Sequence, residues 1–251
     1  MLKTLFLAWQ DPNSRSWFPI GRLTFDGVNY QFFYTQGALE AKQKSGFAPL
    51  SSFPSLDEVY TSTHLFSVLS NRLMPKKRPD YSSFLQWLNI PSHEDDPMAL
   101  LARSGGQKQT DTLTVFPSPE PDEKGQYHLH FFGHGLRYLP SCAVERINRF
   151  VPGEKLWLAH EFQNSHDPMA LTLNTKDHYL VGYCPRYLNP EIFELLGRIS
   201  NSLSVEVEQV NQPPTPLQFR LLCHLTAKVK VDDHFCPFST ELYQPLVRSK
   251  N

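Results

Sequence analysis

The chain has 251 residues, 40% of them hydrophobic and 20% charged, with 18 Phe, 10 Tyr and a formal net charge of −1. That length suits one large domain or two small ones, and the apolar and aromatic content excludes a disordered chain. The near-neutral charge excludes nucleic-acid binding by bulk positive charge, so any contact with phosphates has to be local.

The opening MLKTLFLAWQ has an apolar stretch too short for a secretory signal, broken by Trp9, Gln10 and Asp11. No later run approaches the roughly 20 apolar residues of a membrane span. A soluble, cytoplasmic protein with no membrane contact is expected. The cysteines at 142, 184, 223 and 236 are too widely spaced for a disulfide framework and form no C-x-x-C pair, so they are expected as core thiols.

Leu5 to Trp9, Gly21 to Phe25 and Tyr30 to Tyr34 are short and aromatic-rich, with the turn signal Asp26-Gly27 between the last two, and predict a small antiparallel sheet. Leu65, Phe66, Leu69, Leu73 and Met74 recur at helical spacing, as do Phe84, Leu85 and Leu88, with Pro75 and Pro79 between the runs. A third helix starts at Asp96-Pro97, a good N-cap followed by proline at the first helical position, and stops at Gly105-Gly106. The alternate prolines 117, 119 and 121, in the run from Val115 to Gly125, then predict a linker.

Beyond it, strands are predicted at Tyr127–Phe132, Leu156–Ala159, Ala170–Leu173, Leu180–Tyr183, Ser204–Val210 and Leu221–Leu225, interrupted by one helix at about Pro190–Ser200. Short strands with a single helix suggest a small barrel of the OB or SH3-like kind. The pentapeptide DPMAL occurs at 96–100 and at 167–171. The first copy runs into a helical pattern and the second into alternating Leu171 and Leu173, so the two are a coincidence of letters, not a repeat.

Gly135-Leu136-Arg137-Tyr138, the segment from Leu158 to Leu173 containing Asn164, His166 and Asp167, and Val181-Gly182-Tyr183-Cys184-Pro185-Arg186 follow one another in an order that resembles the HIRAN domain. The resemblance covers about residues 125–230. It implies an OB-type barrel that holds the 3′ end of single-stranded DNA. In such a pocket Arg137 and Tyr138 match a basic-aromatic pair, Asn164 and Asp167 match polar residues near the terminal nucleotide, and Arg186 matches a lysine near phosphate. His166 stands where the family has a second stacking tyrosine and Met169 where it has an asparagine; Tyr183 completes the candidate set. An aromatic face stacks on a base for about 1–3 kcal/mol and arginine neutralises phosphate, so a near-neutral protein can grip one strand end this way. The plainer reading of Asn164 and Asp167 is a turn whose side chains cap backbone amides.

In the first half, Trp17-Phe18-Pro19-Ile20-Gly21-Arg22, Asn71-Arg72-Leu73-Met74-Pro75 and the stretch from Asp95 to Gly106 resemble the first subdomain of HipA-type kinases. The kinase core is missing: there is no Gly-rich phosphate loop, no His-Arg-Asp run and no Asp-Phe-Gly motif. In the kinases this subdomain is an interaction surface. The two resemblances together imply a bacterial protein with an α+β amino-terminal domain, a small antiparallel sheet plus helices, followed by a mostly-β HIRAN-like OB/SH3-type barrel. The expected parts are 1–117, a Pro-rich linker 118–126, the HIRAN-like domain 127–231 and an aromatic-containing tail 232–251 that packs back on one domain.

Arg72, Lys76, Lys77 and Arg78 are the densest basic cluster and read either as a DNA-backbone patch or as a solvated loop. His128 and His130 alternate onto one strand face near His134, but no carboxylate or cysteine sits at a completing spacing, so no metal and no cofactor are expected. The expected function is a non-catalytic DNA-binding adaptor with single-stranded ends favoured and a protein partner for the amino-terminal domain. The alternative is a protein-interaction or antitoxin-like module that docks a HipA-type kinase without binding DNA.

Overall fold

A computed structural model describes residues 3–199, 202–228 and 237–247. The chain divides into two units, one made of Met1–Gln86, Ile90–Ser118 and Phe238–Asn251, the other of Trp87–Asn89 and Pro119–Pro237.

The first unit is built on a five-stranded antiparallel sheet of order β4-β3-β2-β1-β5: β1 (Lys3–Gln10), β2 (Trp17–Phe25), β3 (Tyr30–Tyr34), β4 (Tyr60–Ser62) and β5 (Leu113–Pro117). The β2–β3 hairpin turns where Asp26-Gly27 predicts it, because Asp26 Oδ1 accepts the amides of Val28 and Asn29 at 2.8 and 2.7 Å. Four helices accompany the sheet: α1 (Gln36–Ser45), α2 (Ser67–Ser70), α3 (Tyr81–Trp87) and α4 (Pro97–Ser104). Asp96 caps α4 by accepting the Met98 and Ala99 amides at 2.9 and 3.1 Å, and Gly105 ends it in the left-handed region at φ 72°.

One face of this sheet buries Leu5, Leu7, Ile20, Leu23, Phe32 and Tyr34 with Phe53, Leu69, Met98 and Leu101. The opposite face carries Phe6 and Phe116, which the returning tail covers. Tyr243 meets the Phe6 ring edge-on at 4.8 Å between centroids and Phe238 lies 5.6 Å from Phe116. The tail's Phe238, Leu242, Tyr243 and Leu246 are among the described residues; Phe235 and Cys236 lie outside them.

Three expectations need correction here. The helix expected across Leu65–Met74 shrinks to the four residues of α2, since the Arg72 side chain turns back to the Val68 carbonyl at 2.9 Å and ends the run. The run from Val115 to Gly125, read as linker or long loop, gives up its first three residues: Val115, Phe116 and Pro117 belong to β5, where an edge position tolerates proline, ahead of the linker bounds of 118–126. The structure also adds α1 and β4, which the hydrophobic pattern does not announce.

The second unit is a six-stranded antiparallel sheet of order β6-β11-β10-β7-β8-β9, formed by β6 (Gln126–Phe132), β7 (Lys155–His160), β8 (Leu171–Asn174), β9 (Leu180–Tyr183), β10 (Leu203–Val210) and β11 (Leu221–Lys228). One face is core, with Leu129, Phe131, Leu156, Leu173, Val205, Cys223 and Leu225 buried. Helix α5 (Ser141–Asn148) packs on β9 and α6 (Asn189–Ile199) on β10 and β11, so the single helix expected in this half is in fact two. The sheet curls into a half-barrel. Its two edges meet just beyond β6, where His134 exchanges backbone hydrogen bonds of 2.9 and 3.0 Å with Tyr183 of β9.

The two DPMAL copies behave differently, as their neighbours require. Asp167 Oδ1 accepts the Met169 amide at 3.0 Å, the same bond that Asp96 gives Met98, but the chain then enters β8 instead of a helix.

Candidate nucleic-acid interface

The meeting point of the sheet edges places most of the candidate residues. Gly135 adopts φ 76° and opens a tight turn, Leu136–Tyr138, closed by the Tyr138 amide donating to the Gly135 carbonyl at 2.9 Å. Leu136 is buried and anchors the turn, which leaves Arg137 and Tyr138 pointing outward. Tyr138 is 75% exposed, and the Arg137 guanidinium lies 4.6 Å from its ring centroid. A flat aromatic face backed by a cation is a ready platform for a base and its phosphate. The turn rests against Tyr183: a Cβ at position 135 would stand 2.8 Å from Tyr183 Cδ2.

Tyr183 leads to the rest of the set. The Glu161 carboxylate lies near its phenol: burial, then the charge of Glu161, raises the Tyr183 pKa. Glu161 also accepts Asn164 Nδ2 at 2.6 Å. Asn164 Oδ1 in turn accepts the amides of His166 and Asp167, both at 2.9 Å. Asp167 Oδ2 accepts Asn189 Nδ2 at 2.9 Å and lies 3.5 Å from Arg186 Nε.

Asn164 and Asp167 therefore do act as turn caps. Glu161, Asn164, Asp167 and Asn189 thus form one hydrogen-bonded series, with Arg186 ion-paired to Asp167 and Tyr183 near Glu161, while Arg137 and Tyr138 adjoin Tyr183 by way of Gly135. The His166 side chain is exposed on the loop.

Three residues of this region escape sequence reasoning. Glu161 accepts Asn164 and lies near Tyr183, which is distant in sequence, and only strand pairing reveals that. Phe162 is 83% exposed, its ring 4.2 Å from His160, which is held by Nε2 donating to the Pro168 carbonyl at 2.8 Å. An aromatic so exposed beside Asn164 was the available signal. Asn189 is buried, and its Oδ1 has no hydrogen-bond partner among the described residues. This buried orphan acceptor sits beside Asp167, and in sequence it reads as an ordinary helix start.

His134 has a further consequence for pH. Burial pushes its pKa down to about 4. The unfolded chain, with histidine near 6.5, takes up the proton first, so the stability supplied by the neutral ring is complete above about pH 6.5 and is lost as pH falls toward 4, at no more than about 1.4 kcal/mol per pH unit. His134→Gln should therefore lose less stability than the parent between pH 7 and pH 4.5 in urea titrations; equal losses would assign the pH dependence elsewhere.

The basic run of the first unit is largely spent on carboxylates. Arg72 is buried against Asp111, Lys76 pairs with Asp95 at 2.8 Å and Arg78 with Asp80 at 2.7 Å. A DNA-backbone patch there has lost most of its free charge.

His128 and His130 do share a face, joined by His224: His128 Nδ1 lies 3.0 Å from His224 Nε2, and the rings of His130 and His224 stack at 4.4 Å. Burial, and then the neighbouring His130, lowers the pKa of His224. Among the described residues no group of three His, Cys, Asp or Glu could hold a metal ion.

Cys184 and Cys223 are core thiols whose pKa values burial raises, whereas Cys142 is exposed at the start of α5, against expectation. No helix among the described residues is long and apolar enough to cross a membrane.

Residues 126–230 match the family model described as the HIRAN domain. Among solved structures, the chain is similar to the crystal structure of a protein from Lactobacillus plantarum, at 21% identity and a TM-score of 0.32, over 41% of this chain and 99% of that one. It is also similar to the HIRAN domain of human HLTF, at 19% identity and a TM-score of 0.29, over 43% of this chain and 84% of that one. No curated protein matches the chain. The curled six-stranded sheet and its two helices lie within residues 126–230, the stretch that matches the HIRAN domain model.

Proposed function

We propose that the protein is a non-catalytic nucleic-acid-binding adaptor whose HIRAN domain, read as an OB-type half-barrel, grips the 3′ end of a single strand of DNA. The observation that carries this is the Arg137–Tyr138 turn: a tyrosine 75% exposed, backed by a guanidinium at 4.6 Å, set beside Tyr183 and the Asn164–Asp167–Arg186 series. A HIRAN domain is associated with DNA binding, and this geometry has the three parts such binding needs. Tyr138 offers a stacking face, Arg137 and Arg186 offer charge for phosphate, and the Asp167 carboxylate, held by Asn189, offers a partner for a terminal hydroxyl. The reading of no catalysis rests on the missing kinase motifs. The first unit, as a HipA-like fold, would dock a protein partner.

The test is a titration of 5′-labelled single-stranded oligonucleotides with a free or a blocked 3′ hydroxyl, followed by anisotropy. The free end should bind more tightly. Tyr138→Ala should weaken it roughly tenfold, in keeping with about 1–3 kcal/mol per stacked base, and Arg137→Ala should both weaken it and reduce its salt dependence. Equal, negligible anisotropy changes for both oligonucleotides would discard this function in favour of a kinase-docking module that does not bind DNA.

A further inference from the structure

Tyr183 is not isolated on its sheet. It pairs in register with Thr172 of β8, which pairs with Ala159 of β7, so these three side chains share the face opposite the core. Two residues along β7 from Ala159, on that same face, Trp157 pairs with Asn174. It is 58% exposed, and two residues further along stands the exposed Lys155. The neighbours of Trp157 on this face are small or already satisfied. Ala159 has only a methyl group, Thr172 Oγ1 donates to the Ala159 carbonyl at 3.0 Å, and Asn174 Nδ2 donates to Thr172 Oγ1 at 2.7 Å. The indole therefore stands above a low, polar-satisfied floor, with Lys155 beyond it forming no ion pair among the described residues.

We infer that this face is a track for the single strand itself: the chain leading away from the gripped 3′ end crosses β8 and β7, one of its bases stacks on Trp157, and Lys155 meets a phosphate beside it. This rests on the end-binding reading above and extends it. The occupant follows from continuity, since the track begins at Tyr183, where the proposed pocket ends. Spacing sets the reach. Two strand spacings across and two residues along amount to about 12 Å, three to four stacked nucleotide rises of about 3.4 Å. An unpaired base that far from the end meets an exposed indole, a contact indifferent to sequence because every base has a π face. Glu206, which pairs with Lys155 across β10, limits the positive charge at the far end, and its carboxylate lies 3.5 Å from His224 Nδ1. The track therefore depends on stacking more than on charge.

The experiment compares a dinucleotide and an octanucleotide, each with a free 3′ hydroxyl, on the full chain and on Trp157→Ala and Trp157→Phe. The parent should bind the octanucleotide more tightly than the dinucleotide. Trp157→Ala should weaken the octanucleotide roughly tenfold and leave the dinucleotide unchanged, and Trp157→Phe should retain most of the difference. If the parent binds both while Trp157→Ala binds the octanucleotide as the parent does, the track is wrong and end recognition stands. If Trp157→Ala weakens both equally, Trp157 only supports the pocket and the track is again overturned. If the parent binds neither, the end-binding reading fails and the track fails with it.

Discussion

Replacing Gly135 with alanine should destabilise the protein by about 2–5 kcal/mol and weaken binding of a DNA 3′ end tenfold or more at temperatures where the variant is still folded. Two costs add. A φ of 76° is open to glycine but costs an L-residue about 1–2 kcal/mol, and the new methyl would stand 2.8 Å from Tyr183 Cδ2, an overpacking penalty of about 1–3 kcal/mol. The ring has little room to withdraw, because the Tyr183 backbone is held by His134 on one side and by Thr172 of β8 on the other. Relief must come from the Leu136–Tyr138 turn, the element that carries the stacking face. Urea unfolding and end titration on the same variant separate the two effects. A stability within about 0.5 kcal/mol of the parent would show that Tyr183 yields and that the turn does not depend on glycine.

The second large effect concerns the tail. A chain ending at Pro237 should lose most of the stability of its first unit and aggregate on warming, while Tyr243→Ala alone should cost about 3–5 kcal/mol, the usual range for truncating a buried aromatic. Phe238 and Tyr243 are both buried, and between them they cover Phe6 and Phe116. The backbone adds to this: the Gln36 amide donates to the Gln244 carbonyl and the Leu246 amide to the Tyr34 carbonyl, each at 2.9 Å. Removing that cover strips several aromatic side chains from the interior at about 1.5–3 kcal/mol each, against a total stability of about 5–15 kcal/mol for a typical domain. Thermal unfolding would decide it; a truncated chain with an unchanged melting profile would mean that the tail is dispensable.

Features whose cause lies within a few residues were legible in the sequence. Asp26-Gly27 gives its hairpin, Asp96-Pro97 gives the capped start of α4, and alternating Leu129 and Phe131 give a strand with one dry face. Helix α1 was hidden because its buried residues are Gly37, Ala38 and Ala41, too small to register as an apolar stripe. Helix α5 buries only Ala143 and Ile147. The Leu65–Met74 run misled in the other direction, since its apolar residues serve the core from turns as well as from α2. The candidate site shows the same division. Arg137 and Tyr138 can be read as an exposed pair on a glycine-led turn, but Glu161 comes near Tyr183 only because β7 and β9 both pair with β8, and no local pattern announces that.

The return of the tail to the first unit also bears on the order of assembly during synthesis. Residues 119–237, the bulk of the second unit, lie between the two stretches that complete the first. At about 5–20 residues per second, roughly 6–24 s pass after Ser118 is made before Phe238 is added. Through that interval Phe6 and Phe116 have no cover, whereas in the second unit β7, β8 and β9 can pair as they appear and β6 waits only for β11, which ends at Lys228, before the tail is made. The nascent chain is thus expected to finish its later-encoded unit first and to depend on a chaperone for the earlier one.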